Sequence, residues 1–133
     1  MSDGPRAVVA AHGSLAAGLV NAVACIAGDA AAARLLPLSN RTLGGAELAE
    51  ALRQAVLSAG AQVVFTDLPA GSCTIAARRV ARDVPGLAVV CGVNLPLLLS
   101  FAVASHKGTA TLSEAVNKAR ASMLVAAEVP NAD

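Results

Sequence analysis

The feature that most constrains this chain is the alternation of short apolar runs with longer segments of helical periodicity. The apolar runs have the length of β-strands and cover residues 6–11, 33–38, 62–66 and 87–93. Between the first two runs, apolar residues recur at helical spacing and stop at a glycine: Leu15, Leu19, Val23, Ile26 and then Gly28. Strands that alternate with helices form βαβ units with right-handed crossovers. The sequence therefore predicts a three-layer, doubly wound α/β fold, with helices on both faces of a mainly parallel sheet of four to five strands.

Capping residues predict where the later helices begin. Ser72 and Asn94 stand directly before helical segments and are expected to be N-caps, with Pro96 accommodated in the first turn after Asn94. Residues 111–114 (TLSE) have the pattern of a capping box, which predicts a last helix that opens there and runs toward Ala127. No repeat or linker divides the chain, so we expect residues 1–133 to form a single domain.

Composition and charge exclude several classes of function. The net charge is +1, no basic stripe is present and the aromatic residues are limited to Phe65 and Phe101, so a nucleic acid is not an expected partner. The longest apolar stretch, residues 95–104, is too short to span a bilayer, so direct membrane insertion is not expected. Residues 1–5 lack the pattern of a signal peptide, and the three cysteines form no CxxC pair. These features predict a cytoplasmic protein.

Polar residues interrupt the chain directly after three of the predicted strands. They are His12-Gly13-Ser14 after the first strand, residues 67–72 after the third and Asn94 after the fourth. Open parallel sheets place their binding sites outside the carboxyl ends of the strands. The first and third strands are expected to be neighbours in such a sheet, so His12 and Asp67 should meet.

A histidine held by a carboxylate has a defined chemistry. A carboxylate that accepts a hydrogen bond from Nδ1–H fixes the tautomer and leaves the Nε2 lone pair free to attack a phosphorus atom. Phosphate oxygens then need donors, which the backbone N–H groups of helix N-termini supply. Helices are expected to begin beside the pair at Ser14 and Ser72, so His12 and Asp67 are the candidate catalytic residues. The candidate phosphate-binding residues are Gly13, Ser14, Gly71 and Ser72.

Other interpretations of these residues remain open. Asp67 fits a turn cap, Ser72 and Asn94 fit simple N-caps, and His106 fits a solvated histidine after a helix. A cysteine hydrolase built on Cys73, His12 and Asp67 is an alternative, because a helix start lowers the pKa of a thiol. No metal is expected, since His12 and Asp67 lack further ligands at a suitable spacing, and no nucleotide motif or other cofactor signal occurs.

Three segments of the chain carry a resemblance to a known family. They are Ala10-Ala11-His12-Gly13-Ser14-Leu15-Ala16, Phe65-Thr66-Asp67-Leu68 with Gly71-Ser72, and Gly92-Val93-Asn94-Leu95-Pro96-Leu97-Leu98. In order and spacing they resemble the phosphohistidine segment, the aspartate loop and the Gly-Val-Asn segment of mannose-type IIA domains. These domains belong to the bacterial phosphoenolpyruvate-dependent sugar phosphotransferase system.

The resemblance implies a phosphocarrier that receives a phosphoryl group from HPr and passes it to a histidine of a IIB component. By this resemblance His12 is phosphorylated, Asp67 is its partner and Ser72 contacts the phosphate, with no metal involved. No IIB domain follows, so IIB is expected on a separate chain. The family also implies a homodimer, and the segment 95–103 is apolar nearly all round, which favours burial on more than one side.

The aspartate loop departs from the family pattern. The family usually has Gly-Gly-[Ser/Thr]-Pro, whereas this chain has Ala70-Gly71-Ser72-Cys73. The difference leaves open which partner proteins the loop accepts. A regulatory phosphoprotein of an incomplete phosphotransferase system has the same site and stays as an alternative function. The subunit that serves dihydroxyacetone kinase, which has a comparable fold and histidine, is a further alternative, but the Gly92-Val93-Asn94 run favours the mannose type.

Overall fold

The computed structural model describes residues 4–105 and 109–128, and its centre is a four-stranded, all-parallel sheet. The strands are β1 (Ala7–Ala11), β2 (Leu35–Ser39), β3 (Val63–Thr66) and β4 (Ala88–Cys91), in the spatial order β2-β1-β3-β4. This arrangement confirms the predicted parallel sheet and the predicted pairing of the first and third strands. In the register of that pair, Ala10 lies opposite Thr66. The residues that follow both strands therefore emerge side by side.

Helices cover both faces of the sheet, which confirms the predicted three-layer architecture. They are α1 (Leu15–Ala27), α2 (Asp29–Ala32), α3 (Gly45–Ala59), α4 (Ser72–Asp83), α5 (Leu95–Ala102) and α6 (Thr109–Ala121). Every residue of β1 is buried, and its side chains alternate between two cores. Val9 packs in the core with α1, α5 and α6, while Val8 packs in the core with α3 and α4. None of the described helices is both long and apolar enough to cross a membrane.

Several element boundaries differ from the sequence-based expectation, most clearly those of β2 and the last helix. The short helix α2 was not expected, and it delays the start of β2 from residue 33 to Leu35. Helix α6 begins at Thr109, so the expected capping box at residues 111–114 lies inside the helix rather than at its start. The helix ends at Ala121, short of Ala127, because its buried positions end at Ala119 and the residues that follow have no core to pack on. His106 lies outside the described residues.

Asn94 caps α5 as expected. Its Oδ1 accepts a hydrogen bond from the backbone N–H of Leu97 at 3.0 Å, and Pro96 lies in the first turn. The helix buries Phe101, whose ring meets Phe65 of β3 edge to face at a centroid distance of 5.0 Å. The cap thus sets the start of a helix that completes one of the two cores.

Replacing this cap is expected to destabilise the fold modestly. Asn94→Ala removes the acceptor for the N–H of Leu97, so the free energy of unfolding should fall by about 1 kcal/mol in chemical denaturation. Asn94→Asp keeps an acceptor oxygen and is the matched control, with nearly wild-type stability expected. Equal stability of Asn94→Ala and the wild type would contradict the capping role.

Candidate functional site

His12 and Asp67 lie in direct contact at the carboxyl ends of β1 and β3. Asp67 Oδ2 accepts hydrogen bonds from the His12 backbone N–H at 2.9 Å and from His12 Nδ1 at 2.6 Å. Asp67 Oδ1 accepts from the backbone N–H of Leu68 at 3.0 Å. The Asp67 side chain is only 10 % exposed, whereas that of His12 is 47 % exposed. The carboxylate is therefore held by three donors, and the ring that it orients faces solvent.

The charge of Asp67 determines the tautomer of the ring. Burial raises the pKa of this carboxyl, but hydrogen bonds from the His12 backbone and ring and the charge of His12 outweigh burial and lower the pKa. Asp67 is thus ionised at neutral pH and acts only as an acceptor. The proton between the two residues lies on Nδ1, so the neutral ring carries its lone pair on Nε2.

Gly71 and Gly13 shape the backbone around the ring. A Cβ on Gly71 would lie 3.2 Å from His12 Cε1 and 3.3 Å from the Cβ of Leu68, which is tighter than an ordinary van der Waals contact. The absence of a side chain at Gly71 therefore lets the loop approach the imidazole closely. Gly13 has φ +58°, a left-handed conformation that favours glycine and turns the chain from β1 into α1. Both glycines predicted for the site thus have a conformational or steric reason to be there.

The helix starts beside the pair differ in one respect from the expectation. Ser14 is the N-cap residue of α1, and its side chain makes no capping hydrogen bond. The N-cap of α4 is Gly71 in an extended conformation, so the expectation that Ser72 caps α4 is wrong and Ser72 is instead the first helical residue. The hydroxyl of Ser72 consequently does not cap the helix, and it accepts a hydrogen bond from Asn40 Nδ2 at 3.3 Å. Backbone N–H groups in the first turns of α1 and α4 have no intrahelical acceptor.

Asn40 is a residue of this site that sequence reasoning missed. It follows β2 and connects both loops, because its Oδ1 accepts from the backbone N–H of Gly13 at 3.3 Å while its Nδ2 donates to Ser72. Its own backbone N–H donates to the carbonyl of Ala11 at 3.2 Å. The signal was present, since residues 39–42 (SNRT) form a polar run at the end of a strand. Only the position of β2 beside β1 brings that run to His12.

A buried threonine pair ties the aspartate loop to α4 and was also missed. The hydroxyls of Thr66 and Thr74 lie 2.5 Å apart, and the Thr74 hydroxyl donates to the carbonyl of Leu68. Both side chains are buried. The pair connects the residues on each side of Asp67 to the first turns of α4 and so limits movement of the carboxylate.

Cys73 lies near the pair but lacks the properties of a nucleophile. It is fully buried, and burial together with the nearby charge of Asp67 raises the pKa of its thiol despite a hydrogen bond from Ser72. A protonated, inaccessible thiol disfavours the hydrolase alternative.

A third potential metal ligand does lie close to His12 and Asp67. The sequence predicted none at a suitable spacing, but in the structure the ligand atoms of His12, Asp67 and Cys73 lie within 4.8 Å of one another. A metal at this place would require the raised-pKa thiol to lose its proton.

Comparison with known proteins assigns this arrangement to a family. Residues 6–120 match a family model described as the fructose IIA component of the phosphotransferase system, the EIIA-man family. The chain belongs to the mannose-type IIA family. The matched range includes His12, Asp67 and Ser72, and the predicted family is thereby confirmed. Membership gives the chain a general role in phosphoryl transfer within a sugar phosphotransferase system. No curated protein matches the chain.

Solved structures of similar fold agree with this membership. A mannose/sorbose-specific IIA subunit from Enterococcus faecalis superposes with a TM-score of 0.80 at 21 % identity, over 98 % of this chain and 99 % of that one. A IIA protein associated with the fucose utilization operon of Streptococcus pneumoniae has a TM-score of 0.76 at 25 % identity, over 94 % and 96 % of the two chains. A sigma-54 interaction domain protein from Enterococcus faecalis also shares the fold, with a TM-score of 0.70 at 14 % identity over 91 % and 94 %. Proteins with different descriptions therefore share this fold.

Proposed function

We propose that this chain is a cytoplasmic phosphocarrier, a single domain that accepts a phosphoryl group from phospho-HPr on His12. It then passes the group to a histidine of a IIB component on a separate chain, in the course of sugar uptake. The observation that carries the proposal is the His12–Asp67 contact, in which Nδ1 is held at 2.6 Å by a carboxylate and the ring is 47 % exposed. A ring held in this way presents Nε2 to a partner protein.

The proposed transfer forms one nitrogen–phosphorus bond and breaks another. The Nε2 lone pair of His12 attacks the phosphorus atom in line with the bond from phosphorus to the donor histidine, and that bond breaks as its electron pair returns to the donor ring. Positive charge develops on the His12 ring, and Asp67, which keeps its negative charge, stabilises it through Nδ1–H. In the second transfer a ring nitrogen of the IIB histidine attacks the phosphorus atom, and the bond to His12 Nε2 breaks as its electron pair returns to the His12 ring.

The phosphoryl oxygens have donors close to the ring. Ser14 and Ser72 stand at the N-termini of α1 and α4, where N–H groups without an intrahelical acceptor and the helix dipoles favour an anion. The backbone N–H groups of Gly13 and Gly71 already donate, to Asn40 Oδ1 and to the carbonyl of Leu68. The Ser72 hydroxyl accepts from Asn40 Nδ2, and its single proton, which donates to Cys73 in the unphosphorylated site, can turn to a phosphoryl oxygen. These features support a role of Ser14 and Ser72 in binding phosphate, and a role of Gly13 and Gly71 in shaping the two loops around it.

Phosphorylation in a reconstituted system tests the proposal. The purified chain is incubated with phosphoenolpyruvate, enzyme I and HPr, and its intact mass is measured. A single phosphoryl adduct that is acid-labile and base-stable is expected for a phosphohistidine. Addition of IIB components then separates the two functions, because a carrier loses the adduct to IIB and a purely regulatory phosphoprotein does not.

We also propose that the chain forms a homodimer, on different grounds from those that the sequence suggested. Much of α5 is buried within the chain, where Leu97, Leu98 and Phe101 pack in the core shared with α1 and α6. The support comes instead from the open edge of β4, beside which a shallow pocket of about 440 Å³ is lined by residues including Val90 and Met123. Beyond α6, three apolar side chains in a row are largely exposed: Met123, Leu124 and Val125. A second copy would cover this surface.

Sedimentation analysis tests the dimer. The wild-type chain is expected to be dimeric at micromolar concentration, and the double variant Met123→Asp with Leu124→Asp should weaken association on the order of a thousandfold or more, since each buried apolar side chain contributes about 2 kcal/mol. Leu57→Asp replaces an exposed leucine on α3, away from β4, and is the matched control that should stay dimeric. A monomeric wild type at this concentration would contradict the assembly.

A further inference from the structure

The turn that follows β2 lies against the His12 loop in a strained conformation. Asn40 is held there by Ala11, Gly13 and Ser72, and the backbone N–H of Arg41 donates to Ser39 Oγ at 3.0 Å. Thr42 has φ +66°, a left-handed conformation that is costly for a β-branched residue. Such strain persists only where surrounding contacts enforce it, and it turns the chain back so that Arg41 stands beside the site.

The guanidinium of Arg41 lies close to Gly13, the residue that follows His12 in the sequence. Its Nη2 is 3.5 Å from the position that a Cβ on Gly13 would occupy. The ion pairs found among residues 4–105 and 109–128 join His12 to Asp67 and Arg53 to Asp83, and Arg41 takes part in neither. An exposed arginine with no carboxylate partner among the described residues therefore lies beside Gly13, the neighbour in sequence of the proposed phosphoryl acceptor.

The phosphorylated site has a charge that this cation would balance. A phosphoryl group carries roughly −1.5 to −2 at neutral pH, and it would stand on a ring whose other nitrogen is bound to the ionised Asp67. Helix N-termini supply only partial positive charge. A planar guanidinium has a geometry that matches two phosphoryl oxygens at once and keeps its charge at every physiological pH.

We propose that Arg41 binds the phosphoryl group on His12, and that Asn40 is the positioning residue that holds the turn in place for it. The inference rests on the proposed function, since it concerns the phosphorylated form of the same site. It adds a fourth loop, from the end of β2, to the three loops that the sequence motifs indicate. A carrier of this kind would hold its phosphoryl group with a full positive charge in addition to backbone donors.

Phosphorus NMR of the phosphorylated chain tests this inference directly. Phosphoramidate, a small chemical donor, is used to phosphorylate His12 without HPr, and the resonance is followed as a function of pH. A nearby cation favours the dianion, so Arg41→Gln should raise the pKa of the phosphoryl group by about half a unit, as expected for an exposed charge pair. Arg41→Lys should recover part of the difference. Asn40→Ala should shift the pKa in the same direction by a smaller amount, with folding checked by circular dichroism.

Arg82→Gln is the matched control, because Arg82 is an exposed arginine in the last turn of α4, about 15 Å along the helix axis from Ser72. Its titration curve should coincide with that of the wild type. In single-turnover transfer from phospho-HPr, Arg41→Gln should also be slower on the order of tenfold, less than the 10²–10³ typical of a buried donor because Arg41 is exposed.

The outcomes separate this inference from the proposed function. Identical titration curves for the wild type and Arg41→Gln overturn the role of Arg41 and leave the carrier proposal intact. A wild-type chain that accepts phosphate from phosphoramidate but not from phospho-HPr contradicts the carrier proposal, while the titration still decides the role of Arg41. Absence of label from both donors overturns both.

Discussion

His12→Ala is expected to abolish phosphoryl uptake from phospho-HPr. The lost Nε2 is the atom that forms the new bond, and the other nucleophile in contact with the site, the thiol of Cys73, is buried and protonated. Asp67 has its oxygens occupied by three N–H donors and cannot replace the ring. Intact-mass measurement after incubation with phosphoenolpyruvate, enzyme I and HPr should show full labelling of the wild type and no labelling of the variant.

Cys73→Ser is the companion variant, since it separates the carrier from the thiol hydrolase. It replaces a buried side chain by one of similar size, so uptake should continue at close to the wild-type rate even if stability falls somewhat. The carrier proposal would be wrong if His12→Ala took up phosphate at the wild-type rate while Cys73→Ser did not. Circular dichroism of both variants ensures that a loss of uptake reports on chemistry rather than on folding.

Asp67→Asn is expected to slow transfer by on the order of 10²–10³ without unfolding the chain. The amide oxygen still accepts from His12, but a neutral group does not stabilise the positive charge that develops on the ring. The amide –NH₂ must then face the backbone N–H of Leu68, which donates to Asp67 in the native site, so a stability loss of about 1 kcal/mol is expected as well. Rapid-quench measurement of single-turnover transfer gives the rate.

Asp83→Asn provides the control for Asp67→Asn. Asp83 is an exposed carboxylate at the end of α4, where it pairs with Arg53 at 3.6 Å. Removing that charge should leave the transfer rate unchanged, because a distant exposed ion pair contributes little. A rate for Asp67→Asn within a factor of three of the wild type would show that the carboxylate only orients the ring and does not stabilise charge.

Local patterns in the chain were enough to predict the sheet and the central pair. Whether a strand or a helix forms depends on the spacing of apolar residues within a short window, and this spacing is clear from residue 6 to residue 93. The carboxyl ends of parallel strands share one edge, so a polar residue directly after a strand is predicted to lie at that edge. His12 and Asp67 both follow a strand directly, and in the structure His12 Nδ1 lies 2.6 Å from Asp67 Oδ2.

The remaining parts of the site depend on contacts between residues far apart in the sequence. The strand order places β2 beside β1, and this placement brings Asn40 to Gly13. The two residues are 27 positions apart, and no local pattern in the sequence encodes their contact. Burial of Cys73 likewise follows from the packing of α4 on the sheet, and that burial reverses the expected effect of a helix start on its pKa. The sequence by itself determined which elements form and which polar residues end the strands. Tertiary structure alone decided that the end of β2 joins the ends of β1 and β3 and which side chains lose contact with water, because the position of β2 and the burial of side chains are properties of the packed chain as a whole.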